Sequence, residues 1–244
     1  MGGGGRRAEY PAGAAGAPSR RPSPLRRSPA GVLRCDRVVP ARGDRLLSGV
    51  RAFFAVNLPG EVRSRMAQVL ATVRPPFGGE PIRWVDPAAI HLTLRFLGAT
   101  TTVQADAILR EANQRARSWL PFDVELTGLG CFPDLRRPRV VWIGAHDGGS
   151  LARIAADLEA IARRNGFAPE GRPFSSHLTV GRVKGRLTTA GESRLASLIG
   201  ESERCSFGTF RVETVDLMRS DLRPAGPIYT RMAAVPLGPG GAAR

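Results

Sequence analysis

A tetrapeptide pattern that occurs twice is the feature that most constrains how this chain folds. His91-Leu92-Thr93-Leu94 recurs 86 residues later as His177-Leu178-Thr179-Val180, and the two copies contain two of the chain's three histidines. In an extended strand, side chains at positions i and i+2 point to the same face. Each copy therefore predicts a strand that presents an imidazole and a hydroxyl side by side, with its aliphatic side chains turned away.

The residue types in the repeat are suited to acid–base chemistry on a phosphate ester. The pKa of histidine lies near neutral pH, so two histidines can hold one proton between them. The neutral imidazole then accepts a proton from water while the charged one donates a proton to the leaving oxygen. The threonine hydroxyls can donate hydrogen bonds to the phosphate oxygens. The repeat predicts in-line hydrolysis of a phosphate ester, and it leaves open which histidine is the acid.

The repeat has two other interpretations. A single histidine and threonine in a half-buried strand is usually structural, because threonine favours strands and histidine is often partly buried. The repetition of the whole pattern argues against that interpretation. A zinc site would need more ligands, and the chain has no HExxH or CxxC motif and no carboxylate at ligand spacing. We therefore expect neither a metal nor a cofactor.

At this point the residues match a known family. The chain resembles the 2H phosphoesterases, and within them the RNA 2′,3′-cyclic phosphodiesterases once called 2′-5′ RNA ligases. The resemblance covers about residues 50 to 237, and Ser176 departs from it, because many members have proline before the second histidine. The residues that carry the resemblance are Arg51–Pro59 (RAFFAVNLP), Trp84, Ile90–Gly98 (IHLTLRFLG), Phe174–Arg182 (FSSHLTVGR) and Tyr229.

The resemblance implies an activity and a role for each site residue. His91 would be the proton donor and His177 the proton acceptor, while Thr93, Thr179 and Arg182 would bind the phosphate. The implied enzyme hydrolyses RNA 2′,3′-cyclic phosphate ends to 2′-phosphates, and the same groups run backwards would form 2′-5′ linkages. Two alternatives stay open: a phosphodiesterase for small cyclic nucleotides or 2′-5′ oligonucleotides, and a non-catalytic RNA-binding module.

The composition indicates which binding partners and which cellular compartment to expect. The chain has a net charge of +15, carried almost entirely by arginine, and such a charge attracts polyanions. RNA with a cyclic phosphate end, tRNA fragments included, is the expected partner, and the chain is expected to be a monomer. The three widely spaced cysteines favour a reducing cytoplasm over a disulfide framework. No apolar run reaches the 18 or so residues that a membrane span needs.

The chain divides into a long tail and one domain. Residues 1–48 contain ten arginines against three acidic residues, and they are rich in glycine and proline without periodic apolar positions. Such a segment is predicted to be a disordered cationic tail. Residues 49–237 are predicted to form a bilobal phosphoesterase domain, and residues 238–244 a second disordered tail.

Periodicity predicts an α+β fold with two similar lobes of antiparallel sheet and flanking helices around a central cleft that carries both HxTx motifs. Ser150 is expected to cap a helix and Gly166 to end it. His146 is expected in an exposed loop, and Phe174 and Tyr229 either stack on the substrate or pack in the core. The predicted helices are 60–74, 103–120, a third from Ser150, and 192–199; the predicted strands are 51–57, 82–85, 90–96, 122–129, 140–145, 174–183, 207–218 and 228–236.

Overall fold

The computed structural model of the protein describes residues 49–224 and 226–238. The predicted disordered tails at 1–48 and 238–244 lie outside the described residues, apart from Gly238. The helices are α1 (Gly60–Val73), α2 (Thr102–Ala116), α3 (Ser150–Arg164) and α4 (Thr189–Ser202). The strands are β1 (Val50–Asn57), β2 (Ile82–Trp84), β3 (His91–Thr100), β4 (Phe122–Phe132), β5 (Val140–His146), β6 (His177–Val183), β7 (Ser206–Val212), β8 (Thr214–Arg223) and β9 (Gly226–Pro236).

The strands form two half-sheets that meet at the motif strands. The order is β7-β4-β5-β6-β3-β1-β8-β9, with β2 paired to β6, and every pairing among the described strands is antiparallel. Each half contains the same run of strand, helix and motif strand: β1, α1 and β3 in one, β5, α3 and β6 in the other. The predicted α+β fold with two similar lobes is confirmed.

The helices and the apolar side of the sheet enclose the core. Leu92 and Leu178 from the centre of the motif strands are fully buried there. The helices contribute the stripes that periodicity predicts for amphipathic helices. These stripes include Val62, Met66 and Leu70 of α1, Ala105, Ile108 and Ala112 of α2, and Leu151, Ile154 and Leu158 of α3. Because the helices occupy this side, the opposite face of the motif strands is left for the site.

The start of α3 corrects one predicted cap, whereas its end confirms another. Ser150 is the first helical residue and not the N-cap; Gly149 takes that position with a positive φ of 103°. The Asp147 carboxylate accepts the Leu151 N–H instead, at 2.6 Å. A carboxylate is favourable here because it faces the positive end of the helix dipole. Gly166 follows the helix at a φ of 82°, as predicted for a left-handed stop.

Several boundaries differ from the prediction: β3 continues to Thr100 and β4 to Phe132, β6 begins only at His177, and α4 spans Thr189–Ser202. The predicted strand 207–218 is two strands, β7 and β8, separated at Glu213. Helix α2 ends at Ala116 and not near residue 120. The Ala116 carbonyl at the end of α2 accepts the N–H of Gly238 at 3.2 Å. None of the described helices has the length and apolar character that crossing a membrane requires.

Candidate active site

The two motif strands bring the four predicted side chains to one face. Leu92 lies opposite Leu178 in an antiparallel pair, so the same register places His91 opposite Thr179 and Thr93 opposite His177. All four side chains are half-buried, on the face that the helices leave free. Diagonal neighbours in such a ladder lie about 7–8 Å apart. The two histidines are therefore separated by about the space that a phosphate occupies.

Both imidazoles are oriented by the same local hydrogen bond. His91 Nδ1 lies 2.9 Å from the Ala89 carbonyl oxygen, and His177 Nδ1 lies 2.8 Å from the Ser175 carbonyl oxygen. A carbonyl can only accept, so Nδ1 carries the proton in each ring and donates it. The neutral form of each histidine then has a free acceptor at Nε2. The sequence repeat extends to the carbonyl two residues before each histidine, which sequence reasoning missed.

Aromatic side chains pack against each of the two imidazole rings. His91 lies 4.9 Å from Phe53 and 4.8 Å, edge-on, from Tyr229 between ring centroids. His177 lies 5.0 Å, edge-on, from Phe132 and 6.5 Å from Trp142. Tyr229 was anticipated as a stacking or packing residue, and the structure places it against His91. The other three were missed, because their strands are joined to the motif strands only by the fold.

A β-bulge in each motif strand changes which later residue faces the site. Between β1 and β3, Ala55 pairs with Thr93 and Phe54 with Arg95, so Leu94 is the extra residue; between β5 and β6 the extra residue is Val180. Side chains alternate between faces along a strand, and an extra residue shifts that alternation by one. The bulges therefore place Phe96 and Arg182 on the site face at equivalent positions of the two strands.

Burial and Arg182 set the electrostatics of the two histidines. Burial lowers the pKa of His91 below its usual value; the hydrogen bond to Ala89 opposes this, and the Arg182 guanidinium lowers it further. The pKa of His177 is lowered in the same way, with Ser175 as the opposing partner. Both imidazoles are therefore mainly neutral at pH 7 in the free protein. Because Arg182 acts on both rings, it lies close enough to an anion between them to attract it.

A polar pair flanks His91 on the neighbouring strand. Asn57 pairs with His91 across β1 and β3. Its amide donates to the Asp216 carboxylate at 2.6 Å. Asp216 is 2% exposed, with Arg231 3.9 Å from its other oxygen. The equivalent partner of His177 is Gly144, which has no side chain, so the surroundings of the two histidines differ in polarity although the motifs are alike.

The remaining candidates lie outside this centre. His146 is exposed and is the last residue of β5, where a loop was expected. It lines a pocket of about 780 Å³ beside His177, together with Trp142 and Ser175. Phe174 packs against the core. Within residues 49–224 and 226–238, no three His, Cys, Asp or Glu side chains cluster as metal ligands would.

A comparison with known protein families finds the same twofold repeat that the fold displays. The family model described as "LigT like Phosphoesterase" matches the chain twice in succession, over residues 56–142 and 143–229. Each match contains one histidine–threonine motif. The chain is a LigT-like phosphoesterase. The resemblance to 2H phosphoesterases that the sequence indicated is confirmed.

Individual relatives cover nearly the whole described part of this LigT-like phosphoesterase. An RNA 2′,3′-cyclic phosphodiesterase of Methanothermobacter thermautotrophicus is 37% identical over 183 residues, which are 75% of this chain and 96% of the relative. A crystal structure from Thermus thermophilus is 32% identical with a TM-score of 0.63, over 78% of this chain and 99% of that one. Escherichia coli LigT complexed with 3′-AMP is 27% identical with a TM-score of 0.63, over 78% and 98%.

Proposed function

We propose that this chain hydrolyses RNA 2′,3′-cyclic phosphate ends to 2′-phosphates. The observation that carries the proposal is the pair of imidazoles on adjacent strands, each oriented through Nδ1 by a backbone carbonyl and each with Nε2 free. Relatives named RNA 2′,3′-cyclic phosphodiesterase, at 37% and 33% identity, support the same substrate.

In the proposed reaction the two histidines act on opposite sides of phosphorus. His177 accepts a proton from water, and the water oxygen forms a bond to phosphorus. The bond from phosphorus to the ribose 3′ oxygen breaks, and His91 donates its proton to that oxygen. The product carries a 3′ hydroxyl and a 2′ phosphate. With an RNA 5′ hydroxyl in place of water, the same steps form a 2′-5′ linkage and leave a 3′ hydroxyl, and hydrolysis dominates in bulk water.

Three further side chains are proposed to bind the phosphate. Thr93 and Thr179 stand beside the opposite strand's histidine and can donate hydroxyl protons to the non-bridging oxygens. Arg182 supplies a permanent positive charge on the same face. The charge of the bound phosphate also raises the histidine pKa values, so the proton that burial disfavours is recovered when substrate binds.

We further propose that the domain spans residues 49–237 and acts as a monomer in the cytoplasm, with tRNA fragments among its substrates. The described cysteines, Cys131 and Cys205, are free thiols, as expected in a reducing compartment.

Turnover of a short RNA ending in a 2′,3′-cyclic phosphate, measured in EDTA, tests the function. We expect EDTA-resistant conversion to a single product. Chromatography of the released terminal nucleotide against nucleoside 2′- and 3′-monophosphate standards distinguishes a 2′ from a 3′ phosphate, and a 3′ phosphate would reverse the assignment of the leaving oxygen. Absence of turnover together with retained RNA binding would instead favour a non-catalytic binding module.

A further inference from the structure

A cluster of exposed cations continues from the proposed site along one end of the sheet. We define the basic rim as Arg83 of β2, Arg136, Arg137 and Arg139 before β5, and Arg182 and Lys184 on and after β6. All six side chains are exposed. Arg182 belongs both to the rim and to the proposed phosphate site, because it acts electrostatically on both histidines. The rim therefore begins where the cyclic phosphate is proposed to bind.

The strand register places the rim residues next to each other. Arg182 pairs with Arg83 on one side and with Val140 on the other, and Arg139 directly precedes Val140. The Val183 N–H donates to the Arg139 carbonyl, and the Lys184 N–H donates to the Pro81 carbonyl. Adjacent strands lie about 4.8 Å apart, so the backbone from β2 to β5 spans about 10 Å. Arg83, Arg139, Arg182 and Lys184 therefore occupy neighbouring backbone positions at one end of the sheet, and Arg136 and Arg137 lie in the loop that leads to Arg139.

Hydrogen bonds fix the backbone of the loop that carries Arg136 and Arg137. The Asp134 carboxylate accepts the backbone N–H groups of Arg136 and Arg137 at 2.8 and 3.1 Å. This fixes the loop by its backbone and leaves both guanidinium groups to solvent. Among the described residues, Arg136, Arg137, Arg139 and Lys184 form no ion pair with a carboxylate, whereas Arg95, Arg115 and Arg164 each do.

Arg83 and Arg182 pair across β2 and β6, so two positively charged side chains lie side by side within the rim. A bound polyanion is attracted to each of the rim cations. We propose that the basic rim binds the sugar-phosphate backbone of single-stranded RNA on the 5′ side of the cyclic end. The proposal rests on the proposed function, and it makes RNA strands, and not mononucleotides, the preferred substrates.

The test compares two triple variants of the full chain. The rim variant is Arg136→Gln, Arg137→Gln and Arg139→Gln, which spares Arg182. The matched control is Arg63→Gln, Arg117→Gln and Arg163→Gln, three exposed arginines on or beside the helices, which pack on the other side of the sheet. Each protein is assayed for kcat/KM on an RNA decamer with a cyclic end and on a mononucleoside 2′,3′-cyclic phosphate. Melting temperatures check that all variants fold.

We expect the rim variant to lose activity on the decamer and to keep activity on the mononucleotide. Each phosphate contact to a single strand contributes about −0.7 to the slope of log affinity against log salt, so three lost contacts flatten that slope by about 2. Between 50 and 200 mM salt, the wild type then loses about 15-fold more affinity than the rim variant. The matched control, called the helix variant because its three substitutions lie on or beside the helices, should keep the wild-type salt slope.

Equal salt slopes for the rim and helix variants would overturn the proposal, and so would equal losses of the rim variant on both substrates. Binding of a decamer that ends in a 2′ phosphate, followed by fluorescence anisotropy, reports on the rim without catalysis. If the wild type hydrolyses neither substrate, the proposed function fails. The anisotropy slopes then still decide whether the rim binds RNA.

Discussion

Leu92 of the first motif lies directly opposite Leu178 of the second, and both side chains are fully buried. This apolar pair joins the two half-sheets at their centre. Because side chains alternate along each strand, burying the two leucines turns both histidines and both threonines to the other face. The apolar member of each motif is thus what brings the polar members together.

Replacing either histidine should abolish most turnover. We expect His91→Ala and His177→Ala each to reduce kcat by about 10²–10⁴-fold, the usual contribution of one positioned acid or base. The double variant should be little slower than either single one, because the two groups act as a unit. Single-turnover kinetics on the cyclic-ended RNA measure this. Retention of more than about a tenth of wild-type activity by either single variant is incompatible with the mechanism.

The threonines can be tested with a substitution of nearly the same shape. Thr93→Val and Thr179→Val keep strand preference and remove the hydroxyl donor. Loss of one donor to a transition-state oxyanion typically costs about 10²–10³-fold in kcat, and we expect the lower end because the second threonine and Arg182 remain. Steady-state kcat and KM for both variants check this, with Thr72→Val on the exposed side of α1 as control. Normal turnover by both variants would show that the two threonines only favour the strand and do not bind the phosphate.

Arg182 should set the position of the pH profile as well as its height. Burial first, and then Arg182, lowers the pKa of both histidines. The kcat/KM profile of the wild type should therefore be a bell whose alkaline limb, where the acid loses its proton, lies below the ordinary histidine value of about 6.5. Arg182→Gln removes one lowering influence, so it should reduce activity and move both limbs to higher pH. Limbs that stay in place would show that Arg182 does not act on the histidines.

The same pKa shifts predict how stability depends on pH. The folded protein holds the histidine proton less tightly than the unfolded chain, whose value is about 6.5. The stability contribution of neutral histidine is therefore complete above about pH 6.5 and is lost as the pH falls through and below that value. We expect the melting temperature to drop between pH 7 and pH 5, and His91→Gln to make that drop smaller. A variant with an unchanged pH dependence would contradict the assignment to His91.

Gly130 should tolerate no side chain. A Cβ at this position would lie 2.2 Å from the Trp142 ring, which stands between Gly130 and Thr179 on neighbouring strands. Gly130→Ala must push the ring toward His177, and overpacking of this kind typically costs about 1–3 kcal/mol. Thermal unfolding should show the loss, accompanied by a lower kcat. Gly171→Ala, where a Cβ meets nothing within 4 Å, is the control, and equal melting temperatures for the two would contradict the argument.

Much of the fold was predictable because it depends on local pattern. Helix α1 buries the stripe that its periodicity indicated, and Gly166 ends α3 because glycine adopts a left-handed conformation without strain. The start of α3 was not predictable from Ser150 alone, since the Asp147 carboxylate accepts the Leu151 N–H and the helix begins one residue earlier than a Ser150 cap requires. The break at Glu213 was missed because two consecutive strands with apolar residues look like one long strand.

The sequence by itself determined that two histidine–threonine motifs exist and that each points two polar groups to one side of a strand. The motifs are read directly from the sequence, and the shared side follows from the period of two along an extended strand. Only the tertiary structure decided that the two strands pair at Leu92 and Leu178, that bulges turn Arg182 and Phe96 to the site, and that Phe53, Phe132 and Trp142 flank the histidines. These relations join residues far apart in the chain, and long-range pairing is set by burial and hydrogen bonding of whole strands, which local pattern does not encode.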